Sequence, residues 1–326
     1  MKPTMPKVTS FSRPPAAKEL TLTKISTPLS NERTLQNALF AGIKKHFAGK
    51  MRIVQKGDLI AVPIDEELGR TLYQPAPTED PEIDDLLSNI TLDDAAPARP
   101  TKATAVAWFR ISFISSTNDS PEASEEDDIW GGIVSIDASN TRMMQSGSEN
   151  SRIPATMDNC WEYYLGLKSI SRADSDHVAI PEIRKPHVTS LQRRLRELIA
   201  AATSPRAIHL RLPPLAILLV STQRNIGKAT LASKACADIG LHTFKIDAYD
   251  ILSEGGAGSD VKTAGFLEAR AERAMACGPE YCALLIRHIE ALTADRMVTT
   301  LKDIQSNSRV IIATTCLLYT SDAADE

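Results

Sequence analysis

The stretch from Leu215 to Thr230, LAILLVSTQRNIGKAT, does most to limit what this chain can fold into. Its apolar run is too short for a helix of its own, breaks into polar turn residues and closes on Gly227-Lys228, which predicts a buried strand, a loop and a helix start. That is the layout of a phosphate-binding loop. In the full pattern, G-x-x-x-x-G-K followed by Ser or Thr, backbone amides wrap the phosphates, the Lys reaches the outer ones and the hydroxyl holds Mg²⁺. Here Gly227 and Lys228 are in place, Thr222 stands where the first Gly belongs, and Ala229 replaces the metal-binding hydroxyl, with Thr230 one position late. The candidate nucleotide-binding residues are therefore Thr222, Gln223, Arg224, Asn225, Ile226, Gly227, Lys228, Ala229 and Thr230. A helix over Ala229–Ile239 would aim the partial positive charge of its N-terminus at the phosphates. The plainer alternative is an ordinary strand-turn-helix of an α/β domain.

Whether such a loop has a domain around it depends on size. With 326 residues and 43% hydrophobic content the chain can bury two medium cores, so two domains are expected. A formal charge of -4 gives no reason to expect nucleic acid. The five cysteines, Cys160, Cys236, Cys277, Cys282 and Cys316, form no C-x-x-C pair and predict reduced thiols. No metal site is expected from Cys277 and Cys282, since no partner pair is spaced to complete four ligands. The first residues lack the apolar core of a signal peptide, and no run is long enough to cross a membrane, so a soluble protein is expected.

In chain order, residues 1–30 are rich in Pro, Ser, Thr and Lys and read as a flexible lead-in. Leu35, Leu39 and Ile43 fall four apart and predict a short helix ending near Gly49; two β-rich runs around Lys56-Gly57-Asp58 predict a hairpin or tight turn. Acidic insertions near 74–104 and 117–128 interrupt strand signals at Ala105–Ile114, Trp130–Asp137 and Cys160–Ile170. Residues 31–187 thus read as a β-barrel or β-sandwich domain, with Trp108, Trp130, Trp161, Tyr163 and Tyr164 as core rather than a binding platform. The second domain, 188–315, opens with a helix over Ser190–Ala202, capped by Ser190 and stopped by Pro205. Leu191, Leu195, Leu198, Ile199 and Ala202 line one face, and Arg193, Arg194 and Arg196 are mainly on the solvated one. Strands at Leu241–Ala248, Cys282–Ile286 and Val310–Thr314, with a helix over Val261–Cys277, predict a parallel sheet with crossover helices. Ligands of such sheets sit beyond the strand C-termini, where the Gly-Lys loop lies.

The segment LPPLAILLVSTQRNIGKATLASKACADIGLHTFKIDAYDIL, with the later ALLIRHIEAL, resembles the first ATPase domain of the fungal peroxin six family, AAA ATPases of peroxisome biogenesis. WGGIVSID, WEYYLGLK and LQRRLRELIAAATSP resemble the end of that family's N-terminal adaptor region, so the likeness runs from about residue 35 to residue 315. The resemblance implies an α/β P-loop AAA core, here incomplete, behind a β-rich, double-psi-barrel-like adaptor domain. It implies ATP as cofactor and a hetero-hexameric ring with the peroxin one AAA ATPase. It also implies a tether protein at the cytosolic face of the peroxisomal membrane, and extraction of the ubiquitinated import receptor for reuse. The tail, residues 316–326, departs from the family and reads as non-native, so the chain is expected to be a fragment.

Two departures qualify the inherited activity. Where an AAA site places Asp-Glu to orient hydrated Mg²⁺ and polarise water, this chain has Arg287 and His288, with Glu290 two residues late. At an effective dielectric of about 20, unit charges ~4 Å apart interact by about 4 kcal/mol, and at Arg287 the sign opposes a cation. No catalytic residue is therefore nominated, and Mg²⁺ coordination is expected to be weak or missing. Ser253–Gly258 offers no aromatic ring to grip a threaded polypeptide. The expected role is ATP binding without hydrolysis, as the resemblance also implies by placing hydrolysis in the family's second ATPase domain. The alternative is a non-enzymatic interaction module with a decayed phosphate loop, for which Lys228 is dispensable.

Overall fold

The structure, a computed structural model, describes residues 14–66, 69–70, 103–116, 130–157, 161, 165, 188–255, 260–292 and 295–316. It divides into two compact units: Met1–Ile25 with Thr34–Glu149, and Ser26–Arg33 with Asn150–Glu326.

The first unit contains β1 (Ala17–Ile25), β2 (Arg52–Val54), β3 (Leu59–Ile64), β4 (Ala105–Ser116), β5 (Val134–Ile136), β6 (Arg142–Glu149) and the helix α1 (Gln36–Phe47). Its main sheet has the order β3-β4-β1-β6, and β2 pairs with β5 separately. The expected flexible lead-in is corrected here: β1 lies inside the sheet, antiparallel to β4 and parallel to β6, with Leu20, Leu22 and Ile25 buried. The Pro- and Ser-rich composition hid the alternation AKELTLTKI that buries this strand. Of the expected hairpin or tight turn, the structure has the turn and not the hairpin. The tight turn forms, with Asp58 N donating to Gln55 O at 3.1 Å, but its arms β2 and β3 pair with β5 and β4 rather than with each other. Trp108, Phe109 and Ile111 of β4 are buried core, as the aromatic reading requires of Trp108. The strand expected over Cys160–Ile170 lies outside the described residues except at Trp161 and Leu165, which are joined by a helical bond from Leu165 N to Trp161 O.

The second unit carries α2 (Ser190–Ala202), α3 (Pro205–His209), β7 (Leu215–Ser221), α4 (Lys228–Ala237), β8 (His242–Asp247), α5 (Ala248–Gly255), α6 (Asp260–Met275), β9 (Cys282–Arg287), α7 (Asp295–Asn307) and β10 (Val310–Cys316). All pairings are parallel, in the order β7-β10-β9-β8. Two cores flank the sheet. On one face Leu284, Ile286 and Ile311 pack with Leu267, Met297 and Ile304 of α6 and α7. On the other, Leu285, Val310 and Ile312 pack with Leu195, Ile199, Ala232 and Cys236 of α2 and α4. This is the α/β P-loop core the sequence predicts.

Several boundaries move. The N-cap of α2 is Thr189, not Ser190: its side chain accepts from Gln192 N. Pro205 does stop that helix, but by opening α3 at its first turn, where its missing N–H costs nothing. Leu191 and Leu198 are exposed, whereas Gln192 is buried and donates to Asp238 Oδ2 at 2.7 Å, with Arg196 at 3.9 Å from the same oxygen. The polar side of α2 is thus partly an internal contact. Residues 150–157, which the sequence groups with the first domain, belong to this unit. Ile153 N donates to Gly240 O at 3.1 Å, and a Cβ at Gly240 would stand 2.0 Å from Ile153 O, so only glycine admits the segment. β10 includes Thr315 and Cys316, beyond the expected end of the strand.

Candidate functional site

The parallel order brings the C-terminal ends of β7, β9 and β10 to one edge of the sheet. From β7 the chain turns through Asn225 at φ 56° and Gly227 at φ 87°, both left-handed, and enters α4 at Lys228. Gly227 suits this turn because a side chain is strained at positive φ. Gly227 gives α4 no side-chain cap, so the first amides of the helix keep the open donor capacity of a helix N-terminus. Lys228 reaches back, its Nζ donating to Ser221 Oγ and, at 3.0 Å, to Gln223 O, while Ser221 Oγ donates to Gln223 O at 2.6 Å.

A cavity of about 200 Å³ opens above this turn, lined by residues 224–230 from the loop and α4, Arg287 and His288 from the end of β9, and residues 314–316 from β10. The structure thus brings together seven of the nine loop residues nominated from sequence with the two that replace the acidic pair. Thr222 and Gln223 are exposed and outside the lining; the Gln223 carbonyl accepts from Lys228 Nζ and Ser221 Oγ. Among the described residues, no carboxylate lines the cavity.

Behind the lining the charges are paired. Arg287 Nη2 donates to Asp247 Oδ2 at 2.6 Å, between residues in register across β8 and β9, and Asp247 Oδ1 accepts from Tyr249 N at 3.0 Å. His288 takes a left-handed backbone, φ 56°, that turns its ring to within 5.0 Å of the Tyr249 ring centroid. Its Nδ1 is 3.6 Å from Glu290 Oε1, beyond a hydrogen bond but close enough for charge to matter. The Glu290 side chain is only 7% exposed, and neither of its oxygens has a hydrogen-bond partner among the described residues. The late carboxylate therefore stands behind His288 rather than in the lining.

Next to the polar cavity lies an apolar recess of about 930 Å³. Leu191 of α2, Leu218 and Val220 of β7, Ile226 and Leu231 border it, and Ile226, Gly227, Lys228 and Thr230 are shared with the polar cavity. Sequence reading missed Thr314, Thr315 and Tyr249, for which the one available signal was the rule that ligands gather at strand C-termini. Ser253 to Gly255 lie at the end of α5; the rest of the Gly-rich stretch is outside the described residues.

Comparisons with known proteins follow the two units. A model described as PEX6 fourth domain matches residues 12–153, and the model for the ATPase family associated with various cellular activities (AAA) matches residues 218–324. The similarity thus extends further towards both ends than residues 35 to 315. The peroxisomal ATPase PEX6 of Colletotrichum orbiculare is 51% identical over 317 residues, 96% of this chain and 22% of its own length. That of Neurospora crassa is 51% identical over 321 residues, 95% of this chain and 23% of its own. The protein of the same name from Yarrowia lipolytica is 29% identical over 278 residues, 85% of this chain and 23% of its own. The chain spans less than a quarter of the length of these relatives.

Proposed function

From a chain that belongs to the peroxin six family of AAA ATPases, we propose a site that binds ATP without hydrolysing it, as a fixed part of the peroxisomal ATPase machine. The observation that carries this reading is Lys228, placed by the Asn225–Gly227 turn at the head of α4 and beneath a cavity lined with cations and no described carboxylate. Lys228 and the first amides of α4 would hold the phosphates, which fit a positive, donor-rich turn. The adjoining recess, walled by Leu191, Leu218, Val220 and Ile226, has the apolar character a purine ring needs.

Hydrolysis needs a group that polarises the attacking water, commonly a carboxylate at the C-terminal end of another strand of the same sheet. That place is held by His288, and the carboxylate two residues on, Glu290, is buried and outside the lining. Asp247, the other acid nearby, is bound to Arg287. Bound ATP would thus add its charge and its contacts to both walls of the cavity, joining β7, β9 and β10 without being consumed.

At the level of the whole protein, this domain would stabilise a hetero-hexameric ring with the peroxin one AAA ATPase. The ring would be held by a tether protein at the cytosolic face of the peroxisomal membrane and would extract the ubiquitinated import receptor for recycling, with hydrolysis supplied by the second ATPase domain. The first unit would serve as the adaptor domain.

The test is ATP binding and turnover by the full-length protein with its second ATPase domain inactivated, beside the same protein carrying Lys228→Ala. Binding lost on substitution, with no turnover in either form, is the expected result. Turnover that depends on Lys228 would overturn the claim of a non-hydrolysing site; no binding at all would favour an interaction module with a decayed loop.

A further inference from the structure

A Mg²⁺ ion does not fit the residues that meet here. Magnesium takes oxygen ligands in strict octahedral geometry, one or two carboxylates among them as a rule. The lining offers Arg224, Lys228, Arg287 and His288 around the cavity and, among the described residues, no Asp or Glu. The hydroxyl position beside Lys228 is Ala229. Asp247 is bonded to Arg287, and Glu290 lies behind the imidazole of His288. No cluster of three His, Cys, Asp or Glu residues suited to a metal occurs among the described residues.

We propose that this site takes its nucleotide as the uncomplexed polyanion, with protein cations in the part that a divalent metal plays elsewhere. This rests on the nucleotide-binding reading above and names the chemical form of the ligand. Lys228 supplies one positive charge at the base of the loop. Arg287, at the end of β9, supplies the second. Its Nη2 is engaged by Asp247, yet the side chain is 43% exposed, so the guanidinium is oriented by the ion pair and keeps donor capacity beyond it. A magnesium ion carried in on the phosphates would meet Arg287 at the wrong sign and find no carboxylate to share.

The experiment uses the full-length protein and a fluorescent N-methylanthraniloyl derivative of ATP, titrated once with excess Mg²⁺ and once with excess EDTA. The part of the signal that Lys228→Ala removes belongs to this site. The expected result is Lys228-dependent binding in EDTA that equals or exceeds binding in Mg²⁺. Lys228-dependent binding that weakens by about tenfold or more in EDTA overturns the proposal and leaves the nucleotide-binding reading intact. A signal that Lys228→Ala never changes overturns both. The paired substitution Arg287→Asp with His288→Glu is expected to reverse the preference, making the same signal Mg²⁺-dependent. Lys228-dependent binding in that variant that stays indifferent to Mg²⁺ counts against the assignment of those two residues.

Discussion

β7 and β9 read alike in sequence, LAILLVS against CALLIR, and differ sharply in the fold. In β9, Cys282 to Ile286 are all buried, because β8 and β10 pair on its two sides and helices cover both faces. In β7 only Leu219 is buried; Leu218 is 56% and Val220 45% exposed. Among the described residues β7 is at the end of the strand order, paired with β10 alone, and its residues 215, 217 and 219 face α2 and α4 while 216, 218 and 220 face away. The lesson is that an apolar run marks a strand but not its place. The expected buried strand at Leu215–Ser221 is therefore corrected to a half-buried edge strand.

The strongest way to break this comparison is truncation inside β9. Leu285→Ala is expected to cost about 2–5 kcal/mol in a denaturant titration, since Leu285 is wholly buried between β-strands and the α2–α4 core. Asp238→Ala comes next, at about 1–3 kcal/mol by the same measurement, because it leaves the buried Gln192 amide and the Thr156 hydroxyl without their acceptor.

Acid sharpens the contrast. His242 opens β8 opposite Cys282, its Nε2 2.9 Å from Ser151 O, and burial pushes its pKa below the ordinary 6.5 despite that carbonyl. The folded state thus binds the proton less tightly than the unfolded chain. Stability present above pH 6.5 is lost as pH falls through the depressed value, and His242→Gln is expected to flatten that limb. His46 of α1 adds a similar loss in the first unit, its pKa lowered to about 4 by burial and by Arg52 and Lys50.

Thiol labelling probes the same interior. Burial pushes the Cys236 thiol up to about 11, and the contact with Cys277 together with burial pushes Cys282 up as well, so alkylation of both is expected only after denaturation. Rapid labelling of the native protein, read by mass spectrometry, would show a β9 interior that opens. The smallest effect is assigned to the edge strand: Leu218→Ser should change stability by less than about 0.5 kcal/mol. A loss matching that of Leu285→Ala would show the outer face of β7 covered in solution.

Much of the second unit was legible in its sequence, for reasons that can be named. The alternation of short apolar runs with helical patterns gave β7, β8, β9, β10, α2, α4 and α6 to within a few residues, since each is amphipathic or apolar at its own period. α5 and α7 were missed, and so was β6, whose RMMQSGSE lacks a run of β-branched or aromatic residues. β1 was missed because composition outweighed its alternation. At the site, the Gly-Lys turn and the replacement of an acidic pair by Arg287 and His288 were readable residue by residue. The ion pair of Arg287 with Asp247 and the contribution of Thr314 and Thr315 were not, because they join residues tens of positions apart in sequence, and the place of the Glu290 carboxylate was not, because it depends on the left-handed turn at His288.

Sequence alone determined the local chemistry: a strand that must turn at Gly227, a lysine at the head of a helix, cations where carboxylates would hold a metal, and cysteines in apolar segments. Tertiary structure decided what those residues face. Strand order put β9 between partners and β7 at the edge, parallel register set Asp247 against Arg287, and the left-handed turn at His288 put Glu290 behind its ring. The physical reason is one of range: propensity and periodicity act over a few residues, whereas burial and charge pairing depend on which distant segments the closed sheet brings within a few ångströms.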